Sequence, residues 1–354
     1  MERSELDKLG VRVQEVINKT ETLLKGRGIS NIEAGKPENL QLSILGMTQQ
    51  ENIRDNYSQV MEELSLNTDA VVTIEKRIVR FNESVQKGPL ADKFPKRSNS
   101  QELTLYSFPL LDKYQGIAAP VVIFSHGGAV RPDTSLKSSF LTIIKEQFEK
   151  TEGPLILAAM DHRGSDSNEN MYKYSLEDRT ADIEVVVWAV MNDILPEFKK
   201  MGVNWNGELV LIGNSMGGHV AVIAAKELKP ERLVLPQPAA YSEKAQILPF
   251  GNDFHTEIIK ENSWKTSQAF DALESYLKEG GRCLIIGAQE DETIPGKITK
   301  RYMKEITFAY MDRAVGIDGD KSYQVGYMYI PTSHKNTTKD EISKISTFIS
   351  TSDI

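Results

Sequence analysis

The sequence predicts an α/β fold: a mostly parallel sheet with helices on both faces, preceded by an N-terminal helical region. Three observations carry that expectation. Beyond residue 101, short apolar runs alternate with amphipathic stretches for about 250 residues, as strands joined by crossover helices do. Before it, apolar residues recur at spacings of three and four, the period of a helix. Between the two, "GPLADKFPKRSNSQ" at 88–101 gathers prolines, a glycine and polar residues, which reads as a linker. The expected division is a helical region at 1–87, a linker at 88–101 and an α/β domain at 102–354.

In the first region, Leu6, Leu9, Val13, Val16, Thr20 and Leu23 lie in one stripe of a helix. Two further helices are expected at 50–66, with Ile53, Tyr57, Val60, Met61 and Leu64, and at 69–85, with Val71, Ile74, Ile78, Phe81 and Val85. A small helical pack lying on the main domain is the plain reading. A short coiled coil serving self-association or partner binding is the sharper one. Basic and acidic residues balance over this region, so a basic membrane-binding arm is not expected.

In the second region, strands are expected in "ELTLYSF", "APVVIFSHGG" and "GPLILAAMD", with helices at 135–150 and 175–193. The strand "ELVLIG" leads into a helix beginning near Met216. Then come the strands "ERLVLPQ" and "RCLIIGAQ", a helix near 296–312, the strand "YQVGYMYI" and a last helix at 339–350.

Composition narrows the function. A net charge of −8 argues against nucleic acid as the main partner, because phosphate binding needs a basic surface. The single cysteine, Cys283, rules out an intramolecular disulfide framework and fits a reducing compartment. "MERSELDKLG" carries charges where a signal peptide has its apolar core, and no run approaches the roughly 20 apolar residues of a transmembrane helix. The expectation is a cytoplasmic chain without a transmembrane segment, with export lacking a cleaved signal left open.

The chemistry lies in "LVLIGNSMGGHVAVIAA" at 209–225. A serine between close glycines, where a strand gives way to a helix, can be held on strained backbone with its hydroxyl exposed. Gly213, Ser215 and Gly217 spell that G-x-S-x-G turn. A serine needs a base to take its proton. The candidates are His126, His162, His219, His255 and His334. Where the partners follow the order serine, acid, histidine, His334 in "IPTSHKN" is the one that comes after a strand end bearing acids. That strand end, "LIIGAQEDETIPG", offers Asp291, with Glu290 as the fallback.

Together these pieces resemble the α/β-hydrolase superfamily over residues 102–350. They are "HGG" at 126–128, "D-x-R-G" at 161–164, "GNSMGG" at 213–218, "D-x-x-I-P" at 291–295 and the late His334. One departure stands out: after "DHRG" the family often continues with a second glycine and a serine, whereas this chain reads "SDSNEN". The resemblance implies a serine esterase or lipase-like triad of Ser215, His334 and Asp291, working through an acyl-enzyme. By family position it implies an oxyanion hole from the backbone N–H groups of Gly128 and Met216. It implies no cofactor and no metal, and a small or lipid-like carboxylic ester as substrate. Insertions after the strand that follows the elbow commonly form a cap, here 240–280. Tyr241, Phe250, Phe254 and Trp264 would line its acyl cleft, or simply pack the insertion onto the sheet. His126 is expected to shape the oxyanion loop, and His162 and His219 to serve local hydrogen bonds. An acyl thioesterase and a non-catalytic binding or scaffold protein on the same fold are the alternatives.

Overall fold

Near-continuous apolar runs such as Val121-Val122-Ile123-Phe124 suit strands buried on both faces. In the computed structural model, which describes residues 3–35, 38–40, 73–83, 99–107, 118–128, 156–165, 171–200, 202–314, 325–330 and 339–350, these runs form the centre of one sheet. Helix α1, Arg3–Gly26, leads into β1, Ile29–Ala34, and β2, Glu38–Leu40. Strands β3, Thr73–Glu83, β4, Ser100–Ser107, β5, Ala118–Ser125, and β6, Ile156–Asp161, follow. Helix α2, Leu176–Ala189, continues through a π turn at Val190–Ile194 into α3, Leu195–Lys200. Next come β7, Asn204–Gly213, α4, Met216–Leu228, and β8, Arg232–Pro236. Two short helices, α5, Glu243–Ile247, and α6, Asn252–Ile258, precede α7, Gln268–Lys278. The chain ends through β9, Arg282–Ala288, α8, Gly296–Ala314, β10, Val325–Ile330, and α9, Lys339–Ser350.

The strand order is β1-β3-β4-β6-β5-β7-β8-β9-β10, with β2 on β3. From β6 to β10 every neighbour is parallel, whereas β4 meets β3 and β6 antiparallel. This is the α/β-hydrolase arrangement with an N-terminal extension of the sheet. Its consequence is topological. The chain leaves β5 for β6 on one side, then crosses back over β5 through α2 to reach β7 on the other. At such a reversal the loops diverge and leave a crevice at the carboxyl ends of the strands. Ser125 of β5 and Gly213 of β7, opposite each other in register, stand at that edge.

Both faces of the sheet are dry. Val121, Ile123, Leu209 and Leu211 pack with Val185 and Val186 of α2 and Val220 and Ala224 of α4 in one core. By alternation Val122, Phe124, Val210 and Ile212 point to the opposite face, and they are buried as well. The start of α2 is fixed by a capping box: Ser175 Oγ accepts from Asp178 N, and the Asp178 carboxylate accepts from Ser175 N.

The N-terminal region departs from its expected all-helical character. Helix α1 forms as expected, and its stripe of Leu9, Val13, Val16, Thr20 and Leu23 turns inward, joined by the buried Ile17 and Leu24. Residues 69–85, expected as a helix, instead supply β3. Arg77, Val79 and Phe81 are buried while Ile78, Arg80 and Asn82 face out, a period of two. Ile78 and Phe81 stand three apart and so imitate a helical face, but the β-branched residues between 71 and 79 favour the strand once β4 is there to pair with. Strands β3 and β4 are paired neighbours, and the last two residues of the expected linker at 88–101 already belong to β4, so that stretch lies between two strands of one sheet. The helices expected at 50–66 and 135–150 lie outside the described residues.

The expected cap insertion at 240–280 also divides. Its last part, α7, is an ordinary crossover helix that buries Ala269, Phe270, Leu273, Tyr276 and Leu277. The irregular part, with α5 and α6, is confined to the residues before it. Among the described residues no helix is long and apolar enough to cross a membrane.

Candidate active site at the carboxyl ends of the central strands

The elbow is built by backbone. Asn214 N donates to Ser125 O at 3.1 Å and Ser215 N to Pro236 O at 3.1 Å, which ties the turn to the strands on either side. Ser215 O accepts from Gly218 N and Ala239 N, each at 2.9 Å. Reversing from β7 into α4 within this space leaves Ser215 at φ 53°, ψ −117°, a conformation side chains avoid. The flanking glycines answer a close approach. A Cβ on Gly213 would collide with Gly217 O and Ala221, and one on Gly217 with the carbonyl oxygens of Ser125 and His126.

Facing the elbow is the loop His126-Gly127-Gly128. A Cβ on Gly127 would lie 3.3 Å from Ser215 Cβ, and one on Gly128 would lie 3.2 Å from Met216 Cε. The N–H groups of Gly128 and Met216 have no backbone acceptor among the described residues. Met216 opens α4, where N–H groups have no intrahelical partner. The loop that carries Gly128 and the helix start at Met216 thus adjoin Ser215.

The hydrogen bonds around the loop determine its ring tautomers. His162 N–H can only donate, and it lies 3.3 Å from His126 Nε2, so that nitrogen accepts; Ser165 Oγ is also 3.3 Å away. Nδ1 of His126 therefore carries the proton and donates to Gly127 O at 2.8 Å. A second donor reaches the same oxygen from α2: Arg179 Nη1, at 3.0 Å. Arg179 is fully buried, with its guanidinium 4.7 Å from the centre of the Phe250 ring. Burial lowers its pKa to about 10, against the raising influence of Asp182 and Tyr241, which still leaves it charged at neutral pH.

Behind the loop is a second serine–histidine–aspartate set. His162 Nε2 is 2.8 Å from Ser125 Oγ, and His162 Nδ1 is 3.3 Å from Asp182 Oδ2. All three side chains are buried, and Asp182 is claimed by Arg163, which donates from its backbone N at 3.0 Å and from Nε. Burial pushes His162 down to about 4, with the Asp182 hydrogen bond opposing, so the ring is neutral and accepts from Ser125. Burial alone would raise Asp182, but Arg163 and His162 outweigh it and hold the carboxyl low. This set braces β5, β6 and α2 together. His219 likewise makes a local bond, Nε2 to Gln246 Oε1 at 2.6 Å.

Asp291 lies just beyond β9, where its Oδ1 accepts from Thr293 N at 2.9 Å and Ile294 N at 2.7 Å. These bonds turn the loop into α8 and fix the carboxylate at the strand end. Glu290, the fallback, is exposed. His334 lies outside the described residues.

The aromatic residues divide into two groups. Tyr241, Phe254 and Phe250 form a chain with ring centroids 5.6 and 5.0 Å apart, ending on Arg179. Tyr241 also meets His219 edge-on at 5.2 Å. Trp264 packs against Phe270 at 6.1 Å, in a group that continues to Tyr302. Phe250 and Phe254 are buried, as packing residues are. Sequence reasoning did not single out Arg179 or Asp182. Both sit on an amphipathic-looking helix whose polar side would ordinarily face water, and only the depth of α2 in the fold reveals them.

No family model and no curated protein sequence matches this chain. Among solved structures, it is similar to Est1E from Butyrivibrio proteoclasticus at 14% identity and a TM-score of 0.43, over 70% of this chain and 92% of that one. It is similar to carboxyl esterase 2 from the fungus Tuber melanosporum at 13% identity and 0.45, over 71% and 81%. The butyrate-bound esterase Est2 of Thermogutta terrifontis matches at 16% and 0.43, over 70% and 86%.

Proposed function

We propose that the chain is a serine hydrolase that cleaves a small or lipid-like carboxylic ester through an acyl-enzyme. One observation carries the reading: Ser215 stands on strained elbow backbone at the topological reversal, beside two backbone N–H groups, those of Gly128 and Met216, that have no backbone acceptor among the described residues. In this reading Ser215 Oγ attacks the ester carbonyl while His334 takes its proton. The carbonyl oxygen becomes an oxyanion and accepts from Met216 N–H and Gly128 N–H, donors that typically contribute about 3–4 kcal/mol each. Collapse of the tetrahedral adduct expels the alcohol, protonated by His334. Water, activated by the same ring, then releases the acid and restores Ser215. Asp291 orients the imidazole and stabilises its positive charge. The carboxyl esterase, Est1E and Est2 named above are esterases on a similar fold, which is consistent with this chemistry without specifying it.

The test is labelling by a fluorophosphonate probe, with turnover of p-nitrophenyl esters of increasing chain length, in the wild type and in Ser215→Ala. Labelling and turnover are expected in the former and absent in the latter. A folded wild type that neither labels nor turns over any ester or thioester removes the reading.

A further inference from the structure

We infer that Arg179 is a positioning residue of the oxyanion hole, acting through the peptide bond between Gly127 and Gly128. The inference rests on the proposed hydrolase reading and adds to it a residue that lies on no recognised motif.

The peptide is planar, so its carbonyl oxygen and its N–H point in opposite directions. The oxygen belongs to Gly127 and the N–H to Gly128, the expected oxyanion donor. Fixing one fixes the other. This peptide needs fixing: it lies between two glycines, where no Cβ hinders rotation about the flanking bonds. A flipped plane would present a carbonyl oxygen, a repulsive group, to the oxyanion.

Two donors oppose the flip. One is His126 Nδ1–H at 2.8 Å, from the same loop. The other is Arg179 Nη1–H at 3.0 Å, from the first turns of α2, fifty-two positions along the chain and anchored by the capping box. The second is charged and comes from a rigid element. A charge-assisted bond to a peptide oxygen also polarises the peptide and strengthens its N–H as a donor.

The cost of keeping Arg179 here argues for function. Its side chain is fully buried, and Nε and Nη2 have no hydrogen-bond partner among the described residues. The buried carboxylate that would compensate it, Asp182, is already bonded to Arg163 and His162. A buried cation with a single hydrogen bond and an aromatic face is a poor stabilising element. The packing requirement of this site would be met at least as well by an unbranched apolar side chain.

That argument sets the experiment. Wild type, Arg179→Met and Arg179→Lys are titrated with the fluorophosphonate probe to count active sites. For each, kcat and KM are measured on p-nitrophenyl butyrate, together with inhibition by an alkyl trifluoromethyl ketone, whose serine adduct carries the oxyanion. In Arg179→Met, kcat per titrated site is expected to fall by about 10- to 100-fold, toward the loss of one oxyanion donor. KM should stay within about twofold, ketone affinity should fall with kcat, and the melting temperature should not drop. Arg179→Lys, with a charge and a donor, should recover part of the loss.

A merely structural arginine would lower the titratable fraction and the melting temperature, leaving kcat per site intact; that outcome overturns the inference. So does a kcat loss without any change in ketone affinity. If Arg179→Met does not fold, Arg179→Gln, which keeps a donor without the charge, carries the same comparison. A wild type that labels and turns over while the Met variant equals it removes this inference alone. A wild type that does neither removes the hydrolase reading and this inference together.

Discussion

His162 Nε2 accepts from Ser125 Oγ at 2.8 Å, joining the ends of β5 and β6 directly behind the loop that faces Ser215. The bond runs in this direction only while the ring is neutral; a charged ring would have to donate from Nε2 instead. Burial holds His162 at about 4, and burial also lowers His219 to about 4, with Gln246 opposing.

A pH dependence of stability follows. The unfolded histidines titrate near 6.5, above their folded values, so between these limits the unfolded chain binds more protons. Stability from both rings is fully present above about pH 6.5 and is lost as pH falls toward 4, by up to roughly 3 kcal/mol for each histidine. Burial raises the pKa of Glu184, against the opposing Arg27, and this group works in the opposite sense at the acid end, so the histidines are read from pH 7 to 5.5. Urea midpoints should fall across that window. Midpoints that do not move would mean that the rings are charged or exposed in the native state.

Gly217 gives a sharper structural test. The carbonyl oxygens of Ser125 and His126 occupy the place of its missing Cβ, and both belong to strand and loop backbone that cannot yield without moving β5. Gly217→Ala should therefore cost more than about 3 kcal/mol or prevent soluble expression, as forced overpacking against backbone does. Gly296→Ala, where nothing among the described residues lies within 4 Å, should change stability by less than about 0.5 kcal/mol. Thermal melts of the two variants side by side decide it.

The elbow was legible because its chemistry is local: a strand, a serine between glycines and a helix are all encoded within seventeen residues. The parallel strands of the centre were legible for a related reason, since burial on both faces leaves an apolar run in the sequence. Strand β3 was not. Its Arg77, Val79 and Phe81 are buried by β4 and the helices, partners far along the chain, and its local pattern fitted a helix equally well. Arg179, Asp182 and Glu184 were hidden for the converse reason. They are charged residues on a helix that the fold surrounds on every side, and no local signal separates them from a solvated face. The aromatic residues 241–264 carried composition without direction, so sequence could not divide Tyr241, Phe250 and Phe254 from Trp264.

The same buried helix supplies the tie to the N-terminal segment. Arg27 donates to Glu184 through Nε at 2.8 Å and Nη2 at 2.9 Å, and its Nη1 lies 3.4 Å from Glu177. Glu184 is fully buried, so removing Arg27 leaves a carboxylate in the core without its cation. Arg27→Met should destabilise by about 3–5 kcal/mol near neutral pH, and Glu184→Leu added to it should restore much of the loss. Denaturation midpoints of the two single variants and the double complete the cycle. Additive losses would show that the pair is not coupled.

The strain at Ser215 can be read as stability. At φ 53° and ψ −117°, a residue with a Cβ gives up about 1–3 kcal/mol relative to an ordinary backbone position, while glycine gives up little of it. Against this, glycine makes the unfolded chain more flexible, at about 0.5–1 kcal/mol. Ser215→Gly should therefore be more stable than Ser215→Ala by about 1–2 kcal/mol, both lacking the hydroxyl. Glycine also suits a helix N-cap better than alanine, so the comparison needs a baseline. Ser267 provides one: it caps α7 from ordinary extended backbone, at φ −71° and ψ 126°. The glycine-over-alanine advantage should be clearly larger at 215 than at 267 in matched thermal melts. Equal advantages at the two sites would mean that the elbow stores no strain beyond that of a common cap. The placement of the Ser215 hydroxyl would then be set by the three hydrogen bonds of its backbone, to Pro236, Gly218 and Ala239.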